Sequence, residues 1–448
     1  MIFNKHSTKI TSIIVLFVLV LISGGIYSYM LVEPDENKQV DTKELKGQIC
    51  KVNNTSFMLR TLDKNEQEYT FSKDKDLTLL NGNIATIHYV GSLDDKLKVQ
   101  DVIVNDISIE ETLISNLEDQ HVDQKISDIL QSMTLEEKIG QMIIGRVPQS
   151  NQIETIQTYH LGGYILFGRD FEEQSINSMK ERVKSYQDVA KIPLLIATSE
   201  EGGTVAHASN YLRYRPFSSV KQLYQSSGMD TVVADSQDKI NFLKELGINV
   251  NIAPVCDIVS DPNAFLYLRA FGDNPKRTSD YVRNSVIIYN DNHFGCVMKH
   301  FPGYGDSINE TDVNTKELKT FQKNDFLPFE AGIKANGNCI LVSNQVVECI
   351  DENKPASLSK QTSTLLRDEF DYYGVIMDDD LSMLQSYGSD DELIIAAVQA
   401  GNDLLFSTNM KVQVPALIKA VENGKISKNQ IDQSVLRILK WKESIGLL

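Results

Sequence analysis

Lys299-His300-Phe301-Pro302-Gly303-Tyr304-Gly305-Asp306 sets a cation and an imidazole side by side at the end of an apolar run, 295–298, and then turns through Pro and Gly. A charged donor and a titratable ring delivered together by a buried strand imply a binding or catalytic site. Carboxyl groups recur at comparable places: Glu200-Glu201, Asp257 and Asp378-Asp379-Asp380 each follow an apolar run. Carboxylates converging on a cation-lined pocket suit glycoside hydrolysis, which needs one ionised carboxylate against the anomeric carbon and one proton donor for the leaving oxygen. Metal-assisted hydrolysis fits less well, because no two His residues stand at ligand spacing and His207 and His300 are far apart in the chain. Gly202-Gly203 lacks the dinucleotide fingerprint and the phosphate-loop Lys. The chemistry calls for no cofactor and no metal.

These groups need elements that bring them together. Apolar runs at 142–144, 163–167, 193–197, 250–253, 296–298, 339–342, 375–377 and 404–406 are eight candidate strands, nearly continuous in apolar residues as when both faces of a sheet are covered. Helical patterns at 175–190, 279–292 and 392–400 supply the crossovers that parallel strands require. Eight strand-helix units predict an α/β fold, a (β/α)8 TIM barrel over 116–448. In such a barrel the chemistry sits just after the strands. Those positions hold Ser199 to Gly203, Asp257, Lys299-His300, Ser343-Asn344 and Asp378 to Asp380. Any one acid there could be no more than a helix cap; caps alone leave Lys299-His300 unexplained.

The rest of the 448 residues frames that barrel. Lys5 and Lys9 precede an almost uncharged run, 10–32, long enough to cross about 30 Å of hydrocarbon. The expectation is a cytoplasmic tail at 1–9 and a transmembrane signal-anchor at 10–32, with everything after it outside the cell membrane. The alternative is secretion after signal cleavage, for which Ser23-Gly24-Gly25 is a poor site. A polar linker, 33–46, leads to a small β-rich domain at 47–110, with runs at 49–52, 56–59, 68–71, 83–89 and 98–104 between Asn/Asp/Gly turn signals. A net charge of −17 without a dense Lys/Arg cluster argues against nucleic acid as a partner. Five Cys residues without C-x-x-C spacing read as unpaired thiols, mostly buried, with a Cys339–Cys349 disulfide as the alternative. The oligomeric state is not legible.

Seven motifs occur in one order: 133–142 (Met-Thr-Leu-Glu-Glu-Lys-Ile-Gly-Gln-Met), Leu166-Phe167-Gly168-Arg169, Glu201-Gly202-Gly203, 251–258 (Asn-Ile-Ala-Pro-Val-Cys-Asp-Ile), Arg269-Ala270-Phe271-Gly272, Lys299-His300-Phe301-Pro302-Gly303, and Asp379-Asp380-Leu381-Ser382-Met383. Their sequence and order resemble the β-N-acetylhexosaminidase branch of glycoside hydrolase family 3, from about Asn116 to the carboxyl terminus. The resemblance implies a carbohydrate substrate bearing an N-acetylhexosamine. It implies that Asp379 is the nucleophile of a retaining reaction, and that Arg269, Lys299 and His300 hold sugar hydroxyls. Five positions depart from the family pattern. Asp312 and Glu310 stand where the family has its acid/base His and that residue's Asp partner. Tyr304 replaces a His, while Ser199 and His207 replace a sugar-binding Asp and Arg. Two readings follow: Asp312 is the acid/base with Glu310 as its partner, or the loop has lost that role and the chain is a catalytically impaired sugar-binding or scaffold protein.

Overall fold

The computed structural model describes residues 43–50, 56–61, 68–72, 84–90, 103–110, 124–310, 314, 316 and 318–448. The tail at 1–9 and the anchor at 10–32 lie outside the described residues. Among those described, no helix is long and apolar enough to cross a membrane. The chain divides into two compact units, 1–122 and 123–448.

In the first unit, β1 (Lys43–Cys50), β2 (Ser56–Thr61), β3 (Glu68–Ser72), β4 (Ile84–Val90) and β5 (Ile103–Glu110) form an antiparallel sheet in the order β3-β2-β1-β4-β5. Two boundaries differ from expectation. β1 begins inside the stretch assigned to the linker, because main-chain pairing runs from Lys43↔Tyr89 to Gln48↔Ile84; Lys43, Glu44 and Lys46 give that strand the composition of a tether. β5 runs past 104, its apolar positions continuing through Ile107 and Ile109, which pairs with Ala85.

The second unit is an α/β fold with a parallel-sheet core. Each expected apolar run is a strand: β6 (Ile143–Arg146), β7 (Gly163–Leu166), β8 (Leu195–Thr198), then, after the short hairpin β9 (Glu200–Gly202) and β10 (Val205–Ala206), β11 (Val250–Asn251), β12 (Gly295–Cys296) with β13 (Met298–Phe301), β14 (Cys339–Val342), β15 (Val375–Met377) and β16 (Leu405–Ser407). One sheet has the order β12-β11-β8-β7-β6-β16 and another β13-β14-β15. Single parallel bridges occur at Val255↔Lys299 and Met377↔Leu404. Ile196, Ala197, Ile340 and Val375 are fully buried, and burying such aliphatic side chains stabilises by about 1.5–3 kcal/mol each.

Local signals set the helices that cross between strands. Thr134 and Glu137 form a reciprocal capping box at the start of the Leu135–Gln141 helix. The Pro275–Asp291 helix starts earlier than the expected 279, because Asn274 accepts from the Arg277 N–H and Pro275 takes the first turn, where no N–H is needed. Cys256, Cys296 and Cys339 are free and buried, and Cys349 is free and half-buried. The Cys339–Cys349 alternative is thereby corrected: Cys339 is buried in β14, unpaired.

Candidate active site

The end of β8 runs into the β9–β10 hairpin, whose turn uses Gly202 and Gly203 at φ +93° and +67°. A side chain at Gly202 would strike the Ser218 carbonyl, so the hairpin lies tight against its neighbour and aims Glu200 and Glu201 differently. Glu200 is buried and accepts from the Ala208 and Ser209 N–H groups at 2.8 and 3.1 Å, fastening the following loop. Glu201 turns to the cations. It accepts from Arg269 Nε at 3.0 Å and Nη2 at 2.8 Å, and pairs with Lys299 Nζ at 2.5 Å. Burial opposes its ionisation, but the Lys299 and Arg269 charges outweigh it and hold the carboxyl well below its usual range. Lys299 is itself lowered, first by burial and against the pull of Glu201.

Asp257, fully buried after β11, orients the imidazole. Its Oδ2 accepts from the His300 N–H at 3.0 Å and faces His300 Nδ1 at 2.8 Å, while Oδ1 accepts from the Tyr304 N–H at 2.8 Å. Burial raises this carboxyl, and His300 more than compensates, so it is held low. The other ring nitrogen, Nε2, lies 3.4 Å from Arg269 Nη2. Arg269, Lys299 and His300 are therefore brought together, as expected.

The three consecutive acids after β15 separate by role. Asp378 is fully buried and accepts from the Phe406 N–H at 2.6 Å; burial raises its carboxyl strongly. Asp380 caps the short helix Leu381–Leu384 by accepting from the Ser382 N–H at 2.9 Å. Asp379 is half-buried and accepts from the Asp380 N–H at 2.8 Å. Its charge acts on Lys299, Tyr304 and Glu310.

Phe167 stands at the centre of an aromatic group. Arg146 lies 4.7 Å over the Phe167 ring, which packs against His207 at 5.5 Å and Phe406 at 5.9 Å. Burial, aided by the Lys299 charge, lowers His207 to about 4, so the ring is neutral at pH 7. Ser199 is half-buried, and its carbonyl accepts from the His207 N–H at 3.3 Å.

Beyond Gly303 the chain leaves the strand end. Tyr304 is buried against Val259, Ala264, Leu266 and Ala270 and edge-on to Phe265 at 4.9 Å, which braces the loop carrying Arg269. Glu310 is half-buried beside the site; burial and then Asp379 raise its carboxyl, while His300 and Arg269 oppose the rise. Asp312 lies outside the described residues. Glu201 and Asp257, which the sequence places after strands without assigning them a role, hold Arg269 with Lys299 and His300, respectively.

Residues 134–441 match the glycosyl hydrolase family 3 N-terminal domain. Beta-hexosaminidase LpqI of Mycobacterium tuberculosis is 26% identical over 323 residues, covering 68% of this chain and 82% of the relative. Beta-hexosaminidase A of Pseudoalteromonas piscicida is 28% identical over 329 residues, covering 65% and 55%. Among solved structures, a glycoside hydrolase family 3 β-N-acetylglucosaminidase from Paenibacillus sp. superposes with a TM-score of 0.67 at 26% identity, covering 70% of this chain and 63% of its own. The ordered motifs, the parallel core and the carboxylate-cation cluster agree with that match: the chain belongs to glycosyl hydrolase family 3, as a β-N-acetylhexosaminidase-like member.

Proposed function

We propose that this protein is a retaining glycosidase that removes terminal β-linked N-acetylglucosamine, or a related N-acetylhexosamine, from cell-wall-type glycans. The observation that carries this reading is Asp379: of three adjacent acids it alone is neither fully buried nor a helix cap, and its charge acts on the buried Lys299. Asp379 attacks the anomeric carbon, giving a covalent glycosyl-enzyme that water then opens. Lys299, Arg269 and His300 hold sugar hydroxyls in one orientation, preset by Glu201 and Asp257. Ser199 and neutral His207 border the outer hydroxyls. The acid/base belongs to the loop after Tyr304, where Glu310 and Asp312 occupy the family's positions.

The β16–β6 pairing and the bridges Val255↔Lys299 and Met377↔Leu404 link the eight strands in succession and support a closed (β/α)8 barrel. The uncharged run at 10–32 supports a single-pass anchor with this domain on the extracellular side; carbonate extraction of membranes should leave the full chain in the pellet, and a soluble, shortened chain would favour signal cleavage instead. Incubation with 4-nitrophenyl β-N-acetylglucosaminide tests the activity, with NMR of the first-formed sugar expected to show the β-anomer. A wild type as inert as Asp379→Asn across a panel of β-glycosides would leave a sugar-binding protein on the same fold.

A further inference from the structure

The loop after β13 is fastened at both ends. On the near side, Asp306 Oδ1 accepts from the Ser260 and Asp261 N–H groups at 2.6 and 2.8 Å, and the Ser307 hydroxyl accepts from Gln345 Nε2 at 2.6 Å. On the far side, the Asn314 N–H donates to the Val346 carbonyl at 2.8 Å, Asn314 Nδ2 donates to Gln345 Oε1 at 3.2 Å, and Lys316 pairs with Asp325 at 3.0 Å. One side chain, Gln345, thus holds both ends, and only six residues separate Ser307 from Asn314. Glu310 stands between the fastenings, half-buried, and the charges of Asp379, His300, Arg269 and Asp380 act on it.

We propose that Glu310, the residue whose place in the family belongs to the helper of the acid/base, is itself the proton donor and acceptor of the reaction. This inference rests on the glycosidase reading above. In the first step the Glu310 carboxyl gives its proton to the glycosidic oxygen as the bond from that oxygen to C1 breaks and an Asp379 oxygen bonds to C1. In the second, the Glu310 carboxylate takes a proton from water as the water oxygen bonds to C1 and the C1–Asp379 ester breaks, so both carboxyl groups return to their starting states.

The surroundings supply the switch between those roles. While Asp379 is ionised, its charge adds to burial in raising the proton affinity of Glu310. Once Asp379 is esterified that charge is gone, and His300 and Arg269 then favour the Glu310 carboxylate, which is the base the second step needs.

Three features separate Glu310 from Asp312 experimentally. Glu310→Gln should lose about 10²–10⁴-fold in kcat/KM on a disaccharide or other poor leaving group, and far less on a 2,4-dinitrophenyl glycoside, which needs no proton. Azide should restore turnover of Glu310→Gln on the dinitrophenyl substrate and yield the β-glycosyl azide. The alkaline limb of the wild-type pH profile, where activity falls as Glu310 deprotonates, should be absent from the variant. Glu310→Ala, with its melting temperature measured, repeats the test if the amide variant misfolds. The leaving-group dependence and azide rescue appearing in Asp312→Asn instead would overturn the inference alone. An inert wild type would overturn it together with the glycosidase reading.

Discussion

The clamp made by Glu201, Asp257, Arg269, Lys299 and His300 and the loop from Tyr304 to Lys316 meet at one site but are built differently. In the clamp Glu201, Asp257, Lys299 and His300 are buried after strands, Arg269 is half-buried in its loop, and each has its partner at 2.5–3.0 Å. In the loop, hydrogen bonds and the Lys316–Asp325 pair hold the two ends, while Glu310 makes no ion pair among the described residues. A buried, mutually satisfied network tolerates no single change, since removing one partner strands the other. A carboxyl held only by its flanks is free to change its proton affinity during a reaction. On the proposed assignment, the groups that hold the sugar and the group that moves the proton belong to separate structural devices, so the loop can change its residues while the clamp is kept.

Four substitutions bear on that comparison. The largest effect is expected from Asp379→Asn, where both devices converge: at least about a thousand-fold loss of kcat, because the amide cannot form the ester, with the melting temperature essentially kept. Turnover persisting in that variant on aryl β-N-acetylglucosaminide would place the chemistry elsewhere. Glu201→Gln should cost stability as well as activity, by about 3–5 kcal/mol in urea unfolding, since Lys299 and Arg269 are left as buried cations; a cost under about 1 kcal/mol would mean that water screens the clamp. Its pH dependence has a definite sign. The native Glu201 carboxyl is held below the ordinary 4.5, so the stability it contributes is present above about 4.5 and is lost as pH falls toward the native value. The variant should show a shallower acid limb.

Lys442 sharpens the same contrast from the other side. Like Lys299 it is fully buried, but its ammonium meets only Gln141 Oε1 at 2.7 Å, and burial lowers it to about 7. Between about 7 and 10.5 the unfolded chain holds a proton that the native chain does not, so stability rises with pH across that window. Lys442→Met should flatten this rise and stabilise by about 1–3 kcal/mol at pH 6, unlike any substitution of Lys299. Differential scanning calorimetry at pH 6 and 9 would test it, and a destabilised variant at pH 6 would refute it. The smallest change is expected from Gly305→Ala. Gly305 sits at φ +59°, and an added Cβ would press on the Lys316 ammonium at 2.2 Å. A stability loss of about 1 kcal/mol is expected, with kcat reduced several-fold and KM kept; an equal rise in KM would show that the loop also binds the sugar.

What was legible in the sequence follows from the range of the interactions. The eight strand runs could be found because each, like 339–342, is a short unbroken series of buried apolar residues. Asp379 was selected from its neighbours by the motif; in the structure burial sets Asp378 apart and the helix cap sets Asp380 apart. The pairings of Glu201 and Asp257 could not be read, because their partners are 68 and 43 residues away and no local pattern announces such a pairing. The start of β1 was hidden by Lys43 and Glu44, since strand pairing uses the main chain while composition reports only side chains. The neutral state of His207 was equally out of reach, as it depends on burial and on Lys299, which is distant in sequence.

Asp257 has one further consequence. The main-chain N–H groups of His300 and Tyr304 both donate to its carboxylate, so one buried acid closes the path by which solvent deuterium could reach either amide. Their exchange should then be governed by a common opening event, and the two rates should move together when a ligand occupies the site. Tyr304 also belongs to the start of the loop that carries Glu310, so a deuterium label at these two amides would time how often that loop lifts, without any probe being attached to it.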